Sequence, residues 1–307
     1  MPRAAIIMNP TKLPSVPDAR NLAVQLSRRH GWDEPAWLET TVTDPGRSMG
    51  EAAVAQGFDL VCAAGGDGTV RAVVSGVRGS GVPFGVLPMG TGNLLARNLG
   101  IPLESFSAAF ELALTGRSRP IDVGLVTFDD RDPEPFLVIA GAGLDADTMG
   151  STSPNLKKLI GWGAYVEAGG RASLRPGFRV SIQADELEEP KRSQHVRSYM
   201  VCNCGVLTAG IVLVPQARID DGLLDTVMMA PYGVVGFAAL GVVIATGRQI
   251  SRRLLSYSTG QASEATFSKP VNGQIDGDAV GRVTRMRTAV QAGALTVRVP
   301  ATDAVRA

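Results

Sequence analysis

The stretch that decides the fold is residues 60–91, which read LVCAAGGDGTVRAVVSGVRGSGVPFGVLPMGT. Its first five residues, 60–64, are apolar and predict a strand that is buried on both faces. The glycine-rich run 65–69 predicts a sharp turn. Valines at helical spacing, from Val70 to Val77, then predict a helix that ends near Gly79. The first part of the stretch is therefore a strand, a glycine loop and a helix in succession.

The same order of elements follows immediately. Residues 84–87 predict a second strand, and residues 90–93 (GTGN) form a second glycine loop. An apolar helix at 94–99 comes next, and it ends near Gly100 and Pro102. Two strand–loop–helix units in a row indicate an open sheet with both glycine loops at one edge.

Paired glycine loops of this kind suit a polyphosphate ligand. Glycine lets backbone N–H groups approach phosphate oxygens, and the positive ends of the helix dipoles add attraction. Asp67 stands where a carboxylate could meet a metal ion bound to those phosphates. The alternative is that the glycines only make tight turns, but two loops at the ends of neighbouring strands favour the phosphate site. Neither loop has the Walker A or the Rossmann pattern.

The rest of the first 120 residues alternates between strands and helices. The predicted elements are a strand at 4–8, a helix at 19–29, a strand from 37 to 41, a helix at 48–56 and a helix at 105–115. Such alternation predicts an α/β domain with a doubly wound parallel sheet. Asn9 and Thr41 follow the first two strands, so we expect them at the same edge as the glycine loops.

After residue 120 the pattern changes to short strands separated by turns, which predicts a mainly antiparallel β-sandwich. The predicted strands are 121–126, 136–140, 178–182, 199–201, 224–228, 265–267 and 295–299. Helices are predicted at 155–169 and 233–255, and an exposed hairpin loop at 185–192. We therefore predict two domains, 1–120 and 121–307, and leave open whether the C-terminal tail packs back on the first.

The composition excludes several classes of protein. The chain has 307 residues, a net charge of +1 and 5% aromatic residues, so nothing predicts a nucleic-acid partner. Cys62, Cys202 and Cys204 show no disulfide pattern and no secretory segment opens the sequence, which predicts a cytoplasmic protein. Buried reduced thiols are favoured over a metal site at Cys202-x-Cys204, because a second thiol pair is missing. The longest apolar run, near 234–245, is too short to span a bilayer.

Motifs in a fixed order along nearly the whole chain resemble those of the diacylglycerol kinase catalytic domain family. These are soluble bacterial lipid kinases related to sphingosine and ceramide kinases. The motif GGDGT alone is shared with NAD kinases and 6-phosphofructokinases. The further matches are NP from Asn9, GTGNLLARNLGIP from Gly90, IDVG from Ile121, AGAGLDA from Ala140, KLIGWGAY from Lys158, P-x-A from Pro215, DGLLD from Asp221 and IDGD from Ile275. The ordered set is specific to the family.

The resemblance implies an ATP- and Mg²⁺-dependent kinase that phosphorylates a lipid hydroxyl, with diacylglycerol as the first choice of acceptor and phosphatidic acid as the product. The positions that match nucleotide contacts of the family are Asn9, Pro10, Thr11, Lys12, Leu13, Thr41, Gly65, Gly66, Asp67, Gly68, Thr69, Val70, Arg71 and Thr91. The positions that match the catalytic carboxylate pair, which includes a general base, are Asp276 and Asp278.

The resemblance also implies two kinds of metal site. Asp67 and Asp122 match members of a metal and water network. The carboxylate of Asp221, with the carbonyl groups of Arg218 and Leu223, matches a structural Mg²⁺ site, and oxygen ligands of this kind suit Mg²⁺.

Two residues depart from the family pattern. Leu94 stands where many members have Asp, so no carboxylate is available for a metal ion there. Sphingosine and ceramide kinases also vary at this position, so a lipid of their type is an alternative substrate. Asp278 replaces the Glu of the family motif, and its side chain is one methylene shorter.

Two functions of other classes compete with the lipid kinase. A kinase of a soluble substrate, as in NAD kinases, shares GGDGT but does not explain GTGNLLARN or IDGD. A nucleotide-binding regulator without catalysis has no need of the pair Asp276 and Asp278. A lipid substrate implies peripheral contact with the inner membrane surface. The basic, aromatic segment 157–169 is a candidate for that contact, although a helix packed between domains is the simpler explanation. A homodimer is a candidate assembly.

Overall fold

The computed structural model describes residues 1–143, 177–184, 192–207, 212–231, 236 and 254–301. The chain divides into two compact units, Met1–Val123 with Gln291–Ala307 and Gly124–Val290. The domain boundary predicted at residue 120 falls inside strand β5 (Arg117–Phe128), which continues from the first unit into the second. The segment 155–169, the hairpin loop predicted at 185–192 apart from its last residue, and most of the helix predicted at 233–255 lie outside the described residues.

The first unit contains the parallel sheet and the helices that the sequence predicts. Its elements are β1 (Ala4–Met8), α1 (Val16–Arg29), β2 (Ala36–Glu39), α2 (Arg47–Ala55), β3 (Leu60–Gly65), α3 (Asp67–Val77), β4 (Phe84–Pro88), α4 (Leu94–Asn98) and α5 (Phe106–Thr115). The strand order is β2, β1, β3, β4, and all four strands are parallel. The C-terminal part of β14 (Asp278–Val299) extends this sheet, with Val297 paired to Phe84 of β4.

The order of the strands fixes where a ligand should bind. The chain passes from β1 to β2 in one direction, and from β2 through β3 to β4 in the other. Because such crossovers are right-handed, α1 lies on one face of the sheet, and α2 and α3 lie on the other. The contacts agree, since α1 packs against α5, and α2 packs against α3. The switch point therefore lies between β1 and β3, whose residues are buried throughout.

Helix α1 begins at Val16, earlier than the predicted residue 19, because of a cap. The side chain of Ser15 accepts a hydrogen bond from the Asp18 amide at 3.4 Å, and Pro17 fits the first turn. Helix α5 begins in the same way, with Ser105 accepting from the Ala108 amide at 3.2 Å. These caps satisfy amides that the helices leave unpaired at their N-termini.

The second unit is built from antiparallel strands, and the predicted β-sandwich is confirmed. Its strands, besides parts of β5 and β14, are β6 (Glu134–Phe136), β7 (Ile139–Gly143), β8 (Phe178–Ala184), β9 (Arg192–Val196), β10 (Ser198–Cys202), β11 (Leu224–Met229), β12 (Leu255–Gly260) and β13 (Ala262–Ile275). The order is β12, β11, β10, β7, β13, β14, and β8 and β9 join at β13. Strands β9 and β12 were not predicted because these edge strands are polar.

Strand β13 is much longer than the predicted 265–267, because it pairs with two different strands. Residues 263–267 pair with β8, whereas residues 273–275 pair with β7. On its other side β13 pairs with β14, and the register of that pairing shifts between Thr266 and Val271. Phe267 of β13 lies edge-on to Phe178 and Tyr199, with ring centroids 5.4 Å and 6.0 Å away. The core of the second unit is therefore centred on β13. Among the described residues, no helix is long and apolar enough to cross a membrane.

Candidate functional site

The ends of the parallel strands are held in line by hydrogen bonds that continue past the strands. The amide of Asn9, after β1, donates to the carbonyl of Ala64 at 2.9 Å, and the amide of Met89, after β4, donates to the carbonyl of Gly65 at 2.8 Å. The loops that follow β1, β3 and β4 consequently lie together at the carboxyl edge of the sheet, as predicted. This edge includes the switch point between β1 and β3.

The loop after β1 is shaped by Asn9 itself. Its Oδ1 accepts from the amide of Thr11 at 3.0 Å and from the Thr11 hydroxyl at 2.8 Å. An open cavity of about 500 Å³ lies beside this loop, and its lining includes Lys12, Leu13, Gly90 and Phe106. That volume lies in the range usual for small-ligand sites, about 300–1,000 Å³.

Thr41 lies exposed in the turn between β2 and α2. Its hydroxyl accepts from the Asp44 amide at 3.0 Å and lies 3.1 Å from the hydroxyl of Thr43. A hydrogen bond from the Ser48 hydroxyl, followed by backbone amides, lowers the pKa of Asp44. The turn is thus a rigid, polar one, and Thr41 is the predicted nucleotide contact that it carries.

The two glycine loops touch each other. A Cβ atom added to Gly90 would lie 2.7 Å from the Cα atom of Gly66, closer than real Cβ contacts allow. A Cβ atom on Gly66 would meet only the Gly90 Cα, at 3.5 Å, so there is open space beside Gly66. A Cβ atom on Gly65 would instead lie 2.5–2.8 Å from three atoms of Thr69. Gly65 is therefore required by the fold, whereas Gly66 leaves room for a ligand.

Helix α3 starts at this contact without a side-chain cap. Gly66 is its N-cap residue, and no side chain of the N-cap bonds the first amides, in contrast to the serine caps of α1 and α5. Uncapped N-terminal amides with the positive end of the helix dipole form a place for an anion. Val70 is 4% exposed and packs in the core, and its amide donates to the carbonyl of Gly66 at 3.0 Å, so this predicted contact is already engaged within the fold.

Asp67 and Asp122, which were predicted for a metal network, each accept a hydrogen bond from a backbone amide. Oδ1 of Asp67 accepts from the Leu94 amide at 2.6 Å, and Oδ1 of Asp122 accepts from the Gly293 amide at 2.8 Å. Over the described ranges, no three His, Cys, Asp or Glu residues gather into a metal site.

The loop 218–223 lies in the second unit, before β11. Oδ1 of Asp221 accepts from the Leu223 amide at 3.1 Å, and Gly222 has a φ of +73°. Arg218 lies 3.7 Å from Asp220, measured from Nε to Oδ1. Burial raises the pKa of the nearby Asp225, and the negative charge of Asp221 raises it further. A cation in this loop would relieve that repulsion, which fits the predicted Mg²⁺ site.

The IDGD motif forms a turn between two strands. Strands β13 and β14 are joined by Asp276 and Gly277, whose φ values are +47° and +92°, and Ile275 pairs with Asp278 across the turn. Positive φ at both central residues is typical of the type I′ hairpin turn, for which Asp-Gly is a preferred sequence.

The two aspartates of this turn have different surroundings. Asp276 is 5% exposed, and its carboxylate accepts three backbone hydrogen bonds: from Leu137 at 3.0 Å, Val138 at 2.9 Å and Ile139 at 3.0 Å. Asp278 is exposed. The sequence leaves open which of the two is the base, because contacts across more than a hundred residues leave no local signal.

The Asp276 carboxylate also explains why one strand prediction was wrong. Residues 136–140 were predicted as one strand, but β6 ends at Phe136 and β7 starts at Ile139. The intervening amides turn toward Asp276 instead of a neighbouring strand. Asn203 holds the carbonyl side of the same segment, with its Nδ2 donating to the Leu137 carbonyl at 3.1 Å.

The three cysteines are free and buried, as expected. Burial raises the pKa of the Cys62 thiol far above its ordinary value. The Cys204 thiol lies 3.5 Å from the Leu137 carbonyl, to which it donates. Their surroundings match structural thiols rather than reactive ones.

Family models match both halves of the chain. Residues 3–126 match the diacylglycerol kinase catalytic domain, and residues 143–299 match the YegS C-terminal NAD kinase beta sandwich-like domain.

Individual relatives match over most of their length. A probable lipid kinase YegS-like from Pseudomonas aeruginosa is 33% identical over 286 residues, which cover 91% of this chain and 89% of the relative. A diacylglycerol kinase from Bacillus subtilis is 28% identical over 282 residues, which cover 91% and 90%. The crystal structure of a diacylglycerol kinase from Bacillus anthracis shares the fold, with a TM-score of 0.72 at 18% identity over 98% of each chain.

Proposed function

Because this chain belongs to the family of lipid kinases that carry a diacylglycerol kinase catalytic domain and a YegS C-terminal domain, we propose that it transfers the γ-phosphate of ATP to the hydroxyl of diacylglycerol. As a member it is a phosphotransferase with an alcohol acceptor. One observation carries the proposal: the contact between Gly66 and Gly90 at the uncapped start of α3. Phosphoryl transfer depends mainly on the positioning of the reacting groups and on stabilisation of charge. The two glycine loops, as a cradle for the phosphates of ATP, would supply the positioning.

Different residues of the chain would bind ATP, take the proton from the acceptor and position the base. Amides at the start of α3 bind phosphate oxygens of ATP, and Thr91 and Thr41 are further contacts. The carboxylate of Asp278 takes the proton from the lipid hydroxyl. The hydroxyl oxygen then forms a bond to the γ-phosphorus as the bond to the bridging oxygen breaks, and ADP leaves. Asp276 holds the turn in which Asp278 stands.

Mg²⁺ would neutralise the charge of the phosphates. Mg²⁺ is usually held by one or two carboxylates together with substrate phosphates, rather than by an all-protein cage. The ligands that the sequence predicts are Asp67 and Asp122 in a metal and water network, and Asp221 with the carbonyl groups of Arg218 and Leu223 at a structural site.

Asp221→Ala should abolish the stabilisation that Mg²⁺ gives. We expect Mg²⁺ to raise the Tm of the wild-type protein but not of the variant, and the activity of the variant to fall together with its stability. The reason is that the variant lacks the carboxylate of the structural site, and an ion that binds only the native state stabilises it. Thermal unfolding with Mg²⁺ and with EDTA measures this. An equal Mg²⁺ shift in both proteins would remove Asp221 from the metal site.

The proposed acceptor lies in a membrane, so peripheral contact with the inner membrane surface from the cytoplasm is part of the proposal. The segment 157–169 suggested for this contact lies outside the described residues. A homodimer stays a prediction, for which light scattering of the purified protein is the measurement.

The experiment that tests the function is a comparison of acceptors. Purified protein is incubated with γ-labelled ATP, Mg²⁺ and vesicles that contain diacylglycerol, sphingosine or ceramide, or with NAD in solution, or with buffer alone. We expect label in the diacylglycerol product. Label in sphingosine or ceramide would make that lipid, instead of diacylglycerol, the substrate. Label in NAD would favour a kinase of a soluble substrate. ATP binding without any transfer of label would favour a regulator without catalysis.

A further inference from the structure

The second glycine loop is fastened by its own side chains. Asn93 has a left-handed backbone with a φ of +48°, and its side chain forms two bonds with Gly90: Oδ1 accepts from the amide at 2.9 Å, and Nδ2 donates to the carbonyl at 2.8 Å. Arg97, one turn later, donates from Nε to the Gly92 carbonyl at 2.7 Å. The loop is thus held from both ends, independently of any ligand.

These bonds leave α4 without a cap from its own N-cap residue. Asn93 occupies the N-cap position but makes no side-chain cap bond, because its side chain is bonded to Gly90. The first amide of α4, that of Leu94, donates instead to Oδ1 of Asp67 at 2.6 Å. Asp67 lies within the first glycine loop and is the first residue of α3. This hydrogen bond joins the start of α3 to the start of α4.

Leu94 brings no second carboxylate to this contact. Where many family members have a carboxylate, this residue offers only its backbone N–H, and its side chain is 2% exposed. A carboxylate that accepts from the first amide of a helix forms a charge-assisted hydrogen bond, which is shorter and stronger than a neutral one. The distance of 2.6 Å between the Leu94 amide and Oδ1 of Asp67 agrees with such a bond.

We propose that Asp67 is a positioning residue that locks the second glycine loop against the first, and that it acts on the nucleotide through this loop rather than by ligating Mg²⁺. The lock keeps Gly90 against Gly66 and presents the exposed Thr91 at the phosphate site. The proposal rests on the proposed function, since it requires ATP to occupy the two loops. Asn93 contributes to the same positioning, because its two hydrogen bonds with Gly90 hold the conformation of the second glycine loop.

The test uses two substitutions with different chemistry. Asp67→Asn keeps an oxygen that can accept from the Leu94 amide, whereas Asp67→Ala removes it. The dissociation constant of ATP is measured by calorimetry for each variant, once with Mg²⁺ and once with EDTA. We expect Asp67→Asn to stay within about threefold of wild type, and Asp67→Ala to bind at least about tenfold more weakly, by the same factor in both buffers, as for one charge-assisted hydrogen bond.

Controls separate the lock from a general loss of structure. Asn93→Gly tolerates the positive φ but loses both bonds to Gly90, so it should weaken ATP binding in both buffers as Asp67→Ala does. Glu34→Gln, at an exposed acidic residue of the same unit, should bind ATP as wild type does. Circular dichroism checks that each variant is folded. If Asp67→Ala does not fold, the ATP affinities of Asp67→Asn and Asn93→Gly, each with Mg²⁺ and with EDTA, decide between a positioning role and a metal-binding role of Asp67.

Three results would overturn the proposal. A loss of affinity in Asp67→Asn that appears only with Mg²⁺ would make Asp67 a metal ligand. Wild-type affinity in Asp67→Ala, or in Asn93→Gly, would show that the loop needs no lock. Failure of the wild-type protein itself to bind ATP would instead refute the proposed function, and the proposal with it.

Discussion

Replacing Asp278 with asparagine is expected to lower kcat by at least about tenfold, because a positioned general base typically contributes about 10²–10⁴-fold. The ATP affinity should hardly change, since the carboxylate acts on the acceptor hydroxyl in the transition state. Asp278 is exposed at the start of β14, so the substitution should leave the Tm unaltered. Steady-state kinetics with diacylglycerol vesicles, together with calorimetric ATP binding, measures both quantities.

Asp276→Asn is expected to lower kcat by at least about tenfold as well, but by displacing the turn that carries the base. The substitution should also lower the free energy of unfolding by about 1–3 kcal/mol. The reason is that the side-chain NH₂ of asparagine would face one of the three backbone N–H groups that now donate to the carboxylate. A change in Tm therefore distinguishes the two variants. Wild-type turnover of the double variant would remove this turn from the mechanism and leave the kinase assignment resting on nucleotide binding.

Gly66→Val should abolish ATP binding while the protein stays folded. The new side chain would fill the space beside Gly66 and block the approach of phosphate to the start of α3. The backbone at Gly66 has a φ of −86°, which valine can adopt, so little strain is expected. Calorimetry with ATP measures the effect, and circular dichroism measures the fold.

Gly65→Ala is the matched control for this prediction. Its Cβ atom would collide with Thr69 at 2.5–2.8 Å, so this variant should lose stability even without ligand. The neighbouring glycines thus separate a requirement of the ligand from a requirement of the fold. An unchanged ATP affinity in folded Gly66→Val protein would refute the phosphate cradle.

The elements that the sequence predicts correctly are those with a local signal. The strands β1, β3 and β4 and the helices between them follow from apolar runs and glycine turns, because a strand buried on both faces needs an uninterrupted apolar run. The Asp276-Gly277 turn also has a local signal, because positive φ at two positions selects these residue types. The polar edge strands β9 and β12 were missed, since a strand with one exposed edge and face needs few apolar residues.

The sequence by itself determined the parallel sheet, the two glycine loops at its edge and the kind of ligand that such loops suit, because each depends on residues close together in the chain. Only the tertiary structure decided what the aspartates do. Asp67 caps a helix 27 positions away, and Asp276 binds amides 137–139 positions away. A carboxylate looks the same in a sequence whether it faces solvent or backbone amides. Its role is decided by which N–H groups the fold brings to it.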